Sequence, residues 1–356
     1  MAKKTSGAAT GKGETPFGLG YSMPPEWAEH ESTWLSWPKN PLTFPPEILP
    51  RVEEAYVEMA EALGHGERVD IIVDDDKAED RVRAMLSSKN VSFRHIRSAD
   101  VWMRDYGPIF VAQGGRRQAV AATKWEFNAW GRKYDDLLMD NEAGLEVAKS
   151  TGLRIFEPGI VLEGGSVDVN GRGSLLTTEQ CLLNKNRNPR LGKAQIEGLL
   201  REYLGATRVL WLKKGVAGDD TDGHVDDISR FVDESTVVCM TEEDTGDVNH
   251  AVLKHNQALL SRFKDEQGRD LEVVPVAMPG KVEGDDGRLP ASYANFYIGN
   301  SAVLVPVFGD SRRDSAALET LSGHFRGRKV VPVDCTDLVY GFGGIHCVTQ
   351  QQPSSA

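Results

Sequence analysis

The chain has 356 residues, 40% of them hydrophobic and 26% charged, with a formal net charge of -12, the composition of a globular protein with room for one large domain or two ordinary ones. The negative balance argues against nucleic acid and anionic membrane as partners and creates a field that attracts small cations. No apolar run approaches the roughly 20 residues needed to cross a bilayer, and four cysteines without CxxC or regular spacing argue against a disulfide framework or a zinc finger.

The opening, MAKKTSGAATGKGETP, is polar and lacks an apolar h-region, so residues 1–20 are expected to be a disordered tail and the protein cytoplasmic. No Pro/Gly/Ser linker interrupts the chain after this tail, and residues 21–356 are expected to form a single domain. In PRVEEAYVEMAEALG, Val52, Ala55, Tyr56, Met59 and Leu63 fall on one helical face. RVDIIV then reads as a strand. VWMRDYGPIFV places Asp105 in an aromatic setting with Trp102 and Tyr106 before a Gly-Pro turn; the bland alternative is an Arg104–Asp105 turn pair.

A helical pattern over 135–150 leads to VLEGGSVDVNGRGS. There Glu163 follows an apolar run and precedes two glycines that let a ligand or another backbone come close, unless it merely faces solvent before a bulge. After a helical pattern at 190–204 comes GDDTDGHVDDISRFV. If extension begins at Gly223, His224 and Asp226 project from one face, although solvated aspartates before an edge strand would read the same way. Strand-like STVVCM, LEVVPV, SAVLVPV and KVVPV alternate with helical patterns at 247–264 and 310–326, the last capped by Asp310 or Ser311. The later four helices recur at roughly 60 residues. That is a strand-rich unit carrying one helix, and both radial repetition around an axis and an ordinary mixed α/β sheet accommodate it.

GFGGIHCVTQQQP, near the C-terminus, sets Cys347 after three glycines, at a strand start. One chemistry uses all of these parts. A guanidinium is planar and cationic, and its fixed fork of N–H donors is matched by carboxylates. Its central carbon is a poor electrophile, so attack calls for a strong nucleophile held in line, which a cysteine thiolate supplies. A bound cation favours that thiolate, and His224 would protonate departing ammonia and then deprotonate the hydrolytic water. No metal or other cofactor is needed.

The ordered blocks MPPEWAEHESTWLSWP, VWMRDYGPIFV, KWEFNAWGRKYDDLLMDN, VLEGGSVDVNGRGSLLTTEQCLLNKNRNP, GDDTDGHVDDISRFV, PASYANFYIGNSAVLVPVFGD and GFGGIHCVTQQQP resemble the agmatine deiminase and Porphyromonas-type peptidylarginine deiminase family of the pentein superfamily. The resemblance implies an α/β propeller with pseudo-fivefold symmetry, with Cys347 as nucleophile, His224 as general acid/base, and Asp105, Glu163 and Asp226 around the guanidinium. Two departures bear on the pocket wall: RDYGP stands where the family often has RDTGP, and Gly344 where an asparagine is common. Trp102, Asp220 and Gly344 are expected at the substrate, Asp220 toward a distal ammonium, with a core tryptophan and a solvated turn as the alternatives for the first two.

Agmatine, a small dication, is the expected substrate, hydrolysed to N-carbamoylputrescine and ammonia. Free arginine would need a basic partner for its carboxylate, with Arg104, Arg187 and Arg288 as candidates. Peptidylarginine is disfavoured by the plain polar start. A homodimer is compatible with this reading. Three rivals use parts of it: a papain-like peptidase, whose cysteine signature is missing; a metal hydrolase built on His224, Asp226, His346 and Cys347, without a familiar ligand spacing; and a non-catalytic pentein, which would lack the cysteine and histidine.

Overall fold

The computed structural model describes residues 14–114, 119–285 and 287–355. Of the tail expected over 1–20, residues 1–13 lie outside the described residues. From Glu14 the chain is built into the fold: Phe17–Leu19 form a 3-10 turn closed by Gly20 in the left-handed region, and Tyr21–Ser22 pair antiparallel with Ile109–Gln113.

Among the described residues the strands form five sheets of three or four strands and one two-stranded hairpin. Four of the five follow one pattern in sequence order. A short first strand pairs antiparallel with a second, and the chain then crosses through a helix to a third strand parallel to the second, the connection that parallel pairing requires. The pattern covers Ile109–Gln113, Val120–Thr123 and Arg154–Phe156 around helix Asp140–Ser150, and Asp168–Val169, Ser174–Thr178 and Arg208–Leu212 around Lys193–Leu204. It recurs in Ser229–Phe231, Thr236–Thr241 and Glu272–Ala277 around Val248–Leu260, and in Tyr297–Ile298, Ala302–Val307 and Lys329–Asp334 around Ser311–His324. The fifth sheet joins the two ends of the chain: Thr349–Pro353 pairs antiparallel with His30–Ser36, which crosses through Leu49–Gly64 to Arg68–Val73.

The helices lie where apolar periodicity placed them. Val52, Ala55, Tyr56, Met59 and Leu63 are all buried, and Asp310, not Ser311, caps its helix by accepting from the Arg313 N–H. Helix Asp76–Met85 is an addition to the expected elements. It is mostly polar, buries only Val82, and is announced chiefly by the Asp75 cap on the Ala78 N–H.

A tight turn precedes the first strand of every unit. These are the helical turn Met103–Tyr106, the 3-10 turns Gly164–Ser166 and Val225–Asp227, the turn between Ser292 and Asn295, and the helical turn Ile345–Val348. Each carries at least one polar residue of the site or, at Gly164–Ser166, is capped by one, Glu163. The extension expected from Gly223 is therefore corrected: His224 caps a 3-10 turn, and the strand begins only at Ser229. Gly223, at φ +92°, and the Asp219 carboxylate that accepts from the Gly223 and His224 N–H groups fold the chain there instead.

Candidate active site

Cys347 sits on the last of these turns, 5% exposed, where Gly343 and Gly344 let other groups approach closely. A Cβ on Gly343 would stand 2.2 Å from the Trp102 ring, and one on Gly344 would stand 2.7 Å from Asn295 Oδ1. Gly344 thus makes room for Asn295; the cavity wall is formed by Gly341 and Gly343. The Asn295 carboxamide is fixed at both ends. Its Oδ1 accepts from the His346 N–H at 2.8 Å and the Cys347 N–H at 3.3 Å, and its Nδ2 donates to Asp227 Oδ1 at 2.9 Å and Cys347 Sγ at 3.1 Å. The thiol can donate to Asp226 Oδ2 at 3.8 Å. Burial pushes the Cys347 thiol well above its usual range, and Asp226, Asp227 and Asp105 add to the effect.

The expected carboxylates and His224 meet behind this thiol. Asp105 accepts from Trp130 Nε1 at 2.9 Å and the Gly165 N–H at 3.1 Å, and its Oδ1 lies 3.7 Å from His224 Nδ1. Burial raises its carboxyl to about 6; His224 opposes that shift while Asp226 and Glu163 add to it. Arg104 is no turn partner of Asp105: it reaches Glu26, Gln351 and the His346 carbonyl instead. Glu163 accepts from Arg187 Nε at 2.6 Å through Oε1, and its Oε2 has no partner among the described residues.

Asp226 receives His346 Nδ1 at 2.7 Å on Oδ2, leaving Oδ1 without a partner among the described residues. Burial works against the Asp226 anion, yet His346 and His224 hold its carboxyl below the ordinary value. Neither ring nitrogen of His224 meets an oxygen or nitrogen hydrogen-bond partner among the described residues, and the Cys181 sulfur is a close neighbour of the ring. Burial disfavours the charged ring, but Asp105, Cys181 and Asp226 outweigh it and raise the His224 pKa well above normal. Glu163 Oε2, Asp226 Oδ1 and the His224 ring thus keep hydrogen-bonding capacity that a polar ligand would use.

The space in front is an open cavity of about 550 Å³ lined by Cys347, Asp105, Trp102, Trp130 and Asp220 among others. His224, Asp226 and Glu163 stand behind that wall. Asp100, Asp136 and Asp285 also line the cavity, and among the described residues no Lys or Arg does. Arg104 and Arg187 are buried in ion pairs with Glu26 and with Glu163 and Asp222, and Arg288 pairs with Asp247. Asp220 accepts from Tyr134 Oη at 2.6 Å; burial, against that hydrogen bond, lifts its carboxyl to about 6.

Donor atoms do cluster in two threes, Glu163 with Cys181 and His224, and Asp226 with Asp227 and Cys347. His346 joins neither, since its two nitrogens are bonded to Asp226 and Glu26. Sequence reasoning passed over Asn295, Asp227, Trp130 and the supporting role of Arg187. In the fold Asn295 stands just before its unit's first strand, as Asp105, Glu163, Asp226 and Cys347 stand before theirs.

Fold and site together define an α/β protein with a buried thiol, an imidazole and several carboxylates around an acidic cavity. The chain belongs to the Porphyromonas-type peptidyl-arginine deiminase family, whose model matches residues 22–353. It is 37% identical over 369 residues to the agmatine deiminase of Stutzerimonas stutzeri, covering 96% of this chain and 97% of that one. Its fold matches the solved agmatine deiminase of Enterococcus faecalis with TM-score 0.88 and 32% identity, over 97% of this chain and 99% of that one. A cysteine-to-serine agmatine deiminase of C. jejuni solved with substrate bound matches at TM-score 0.85 and 30% identity, over 94% and 97% of the two chains.

Proposed function

We propose that this chain is an agmatine deiminase, hydrolysing agmatine to N-carbamoylputrescine and ammonia through a covalent amidino-cysteine intermediate. One observation carries the reading. Three polar atoms from two units, His224 Nδ1 and Asp226 Oδ2 from one turn and Asp105 Oδ1 from another, surround the point above Gly165 of a third unit within 2.6–2.9 Å, beside a thiol in a cavity without a lining Lys or Arg among the described residues. That place suits a planar cation with N–H donors.

In the proposed reaction the guanidinium donates charge-assisted hydrogen bonds to Asp105, Asp226 and the unpartnered Oε2 of Glu163. Its positive charge offsets the aspartates that keep the Cys347 thiol protonated, so on binding the thiol releases its proton to solvent and the thiolate forms, His224 keeping its own proton. Sγ bonds to the guanidinium carbon; the carbon–nitrogen bond breaks as His224 protonates the departing ammonia. His224, now neutral, takes a proton from water as oxygen bonds to the carbon, and collapse breaks the carbon–sulfur bond to return the thiolate and release the ureido product. Asn295 Nδ2, already on Sγ, stabilises the thiolate at both stages. Trp102 walls the aliphatic chain, and Asp220, held by Tyr134, receives the distal ammonium.

The five units carry these groups to one place from separate turns, which supports a pseudo-fivefold propeller within a single domain over 21–356. The four cysteines are all free thiols, which supports a cytoplasmic location. The test compares kcat/KM for agmatine, free arginine and a blocked peptidylarginine, following ammonia and ureido product. Agmatine is expected to lead; a preferred peptide sinks the substrate assignment. Activity is expected to survive exhaustive chelation, and a loss restored by zinc would favour a metal hydrolase.

A further inference from the structure

His346 is next to the nucleophile, 2% exposed, and takes no step in the proposed reaction. Its Nδ1 lies 2.7 Å from Asp226 Oδ2 and its Nε2 lies 2.8 Å from Glu26 Oε2. An ionised carboxylate can only accept, so an imidazole bridging two of them must donate from both nitrogens and is then an imidazolium. Glu26 is itself pinned from several sides. Its Oε1 receives the Ile298 N–H at 2.8 Å and is ion-paired with Arg230 at 2.9 Å, and its Oε2 receives Arg104 Nη2 at 3.3 Å. The remaining neighbours of the ring leave it in place: Asn295 holds the His346 N–H, and Arg104 Nε donates to the His346 carbonyl at 3.2 Å. The Asp226 oxygen that His346 holds, Oδ2, is also the one 3.8 Å from Cys347 Sγ and 2.9 Å from where a Cβ on Gly165 would stand, so the oxygen beside the reacting place is tied to a rigid buried cluster.

We propose that His346, anchored by Glu26, is a positioning residue for the deiminase reaction, an imidazolium that keeps Asp226 ionised and fixes its Oδ2 at the place proposed for the substrate guanidinium. The inference rests on the agmatine deiminase reading. Both carboxyl groups are held below the ordinary carboxylate value despite burial, with His346 among the causes in each case. The charges alternate along the line from Asp226 through His346 to Glu26 and the two arginines. An alternating line of this kind confines each partner to one orientation, since turning any group places like charges together.

The test has two arms. In wild-type protein labelled with 15N-histidine, the ring assigned to His346 is expected to show both nitrogens protonated at neutral pH, as its two carboxylate partners require. A neutral ring assigned to His346 overturns the proposal, and this arm is read whatever the substrate proves to be. In the second arm His346→Gln, which offers one amide donor group in place of two opposed ring donors, is expected to lower kcat/KM for agmatine about 10- to 100-fold, the scale of one lost charge-assisted hydrogen bond. The loss should fall mainly in KM, and the acidic limb of the pH profile should move to higher pH as Asp226 becomes easier to protonate. Glu26→Gln should move the limb the same way by a smaller step. A His346→Gln enzyme with unchanged kcat/KM and an unmoved acidic limb overturns the proposal. If that variant fails to fold, the Glu26→Gln profile and the wild-type spectrum decide.

Discussion

A methyl group on Gly165 would lie 2.6 Å from His224 Nδ1 and 2.9 Å from both Asp105 Oδ1 and Asp226 Oδ2, in the space the proposed guanidinium needs. The contacts are side-chain and not backbone atoms, so Gly165→Ala is expected to fold with a stability loss of about 1–3 kcal/mol from overpacking, and to lose about 100-fold or more in kcat/KM, as misplacement by an ångström does. A folded variant of near-normal activity would move the guanidinium elsewhere. The raised thiol gives a second prediction with opposite signs. A thiol whose pKa is raised is mostly protonated at neutral pH, so iodoacetamide should alkylate Cys347 slowly, and faster as pH climbs beyond the ordinary thiol range. A cationic amidine electrophile brings its own positive charge and should react at least about tenfold faster at neutral pH, one pKa unit being a factor of ten in thiolate. Asp226→Asn should speed the neutral reagent and slow the cationic one; a parallel change in both would refute this electrostatic account. These residues were legible because guanidine chemistry demands a strong nucleophile, an acid/base and acceptor-only groups. Asn295 and His346 were not, because their importance lies in contacts with residues far away in sequence that no local pattern encodes.

Between elements, Arg187 ties the Glu163 turn to the loop before His224. It binds Glu163 Oε1 at 2.6 Å, the Thr221 carbonyl at 2.7 Å and Asp222, and its side chain is fully buried. Breaking a buried pair from one side strands a charge, so Arg187→Met is expected to cost about 3–5 kcal/mol in urea unfolding. The double variant Arg187→Met with Glu163→Gln should recover part of that, because the fully buried partner is then neutral and the remaining one, Asp222, is less buried and still paired with Lys133; full additivity of the two losses would contradict the coupling. At this scale the sequence spoke through periodicity. Long helices such as Leu49–Gly64 and six-residue strands such as Thr236–Thr241 carry enough apolar repeats to be read. The leading strands Asp168–Val169 and Tyr297–Ile298 have two residues each, too few for any period. The turn at His224 looked extended because a 3-10 turn of three residues leaves the downstream alternation intact. The Asp219 side chain that shapes this turn hydrogen-bonds backbone four and five residues on, a signal that alternation does not contain.

For the whole molecule, the recurrence of helices suggested a repeat, but the sheet that joins Thr349–Pro353 to His30–Ser36 pairs residues from opposite ends of the chain, and no spacing within the sequence announces that. What composition did announce is the field. The chain carries -12, and Asp100, Asp105, Asp136, Asp220 and Asp285 all line one cavity that, among the described residues, has no lining Lys or Arg. Walls of one charge sign focus the potential into a cleft and raise the local concentration of an oppositely charged ligand. Agmatine, as a dication, would feel that attraction twice over at a distance, while the chemical step would act through contacts that bulk ions do not reach. Raising ionic strength shortens the screening length, which is about 10 Å near 0.1 M salt and about 3 Å near 1 M. The kcat/KM for agmatine is therefore expected to fall steadily as sodium chloride is raised over that range, with kcat nearly constant. Alkylation of Cys347 by iodoacetamide, which carries no charge, serves as the internal control and should stay nearly flat over the same series. A kcat/KM that does not respond to salt would show that the acidic cavity acts only at contact, and a fall shared by the neutral reagent would trace the effect to the protein and not to steering.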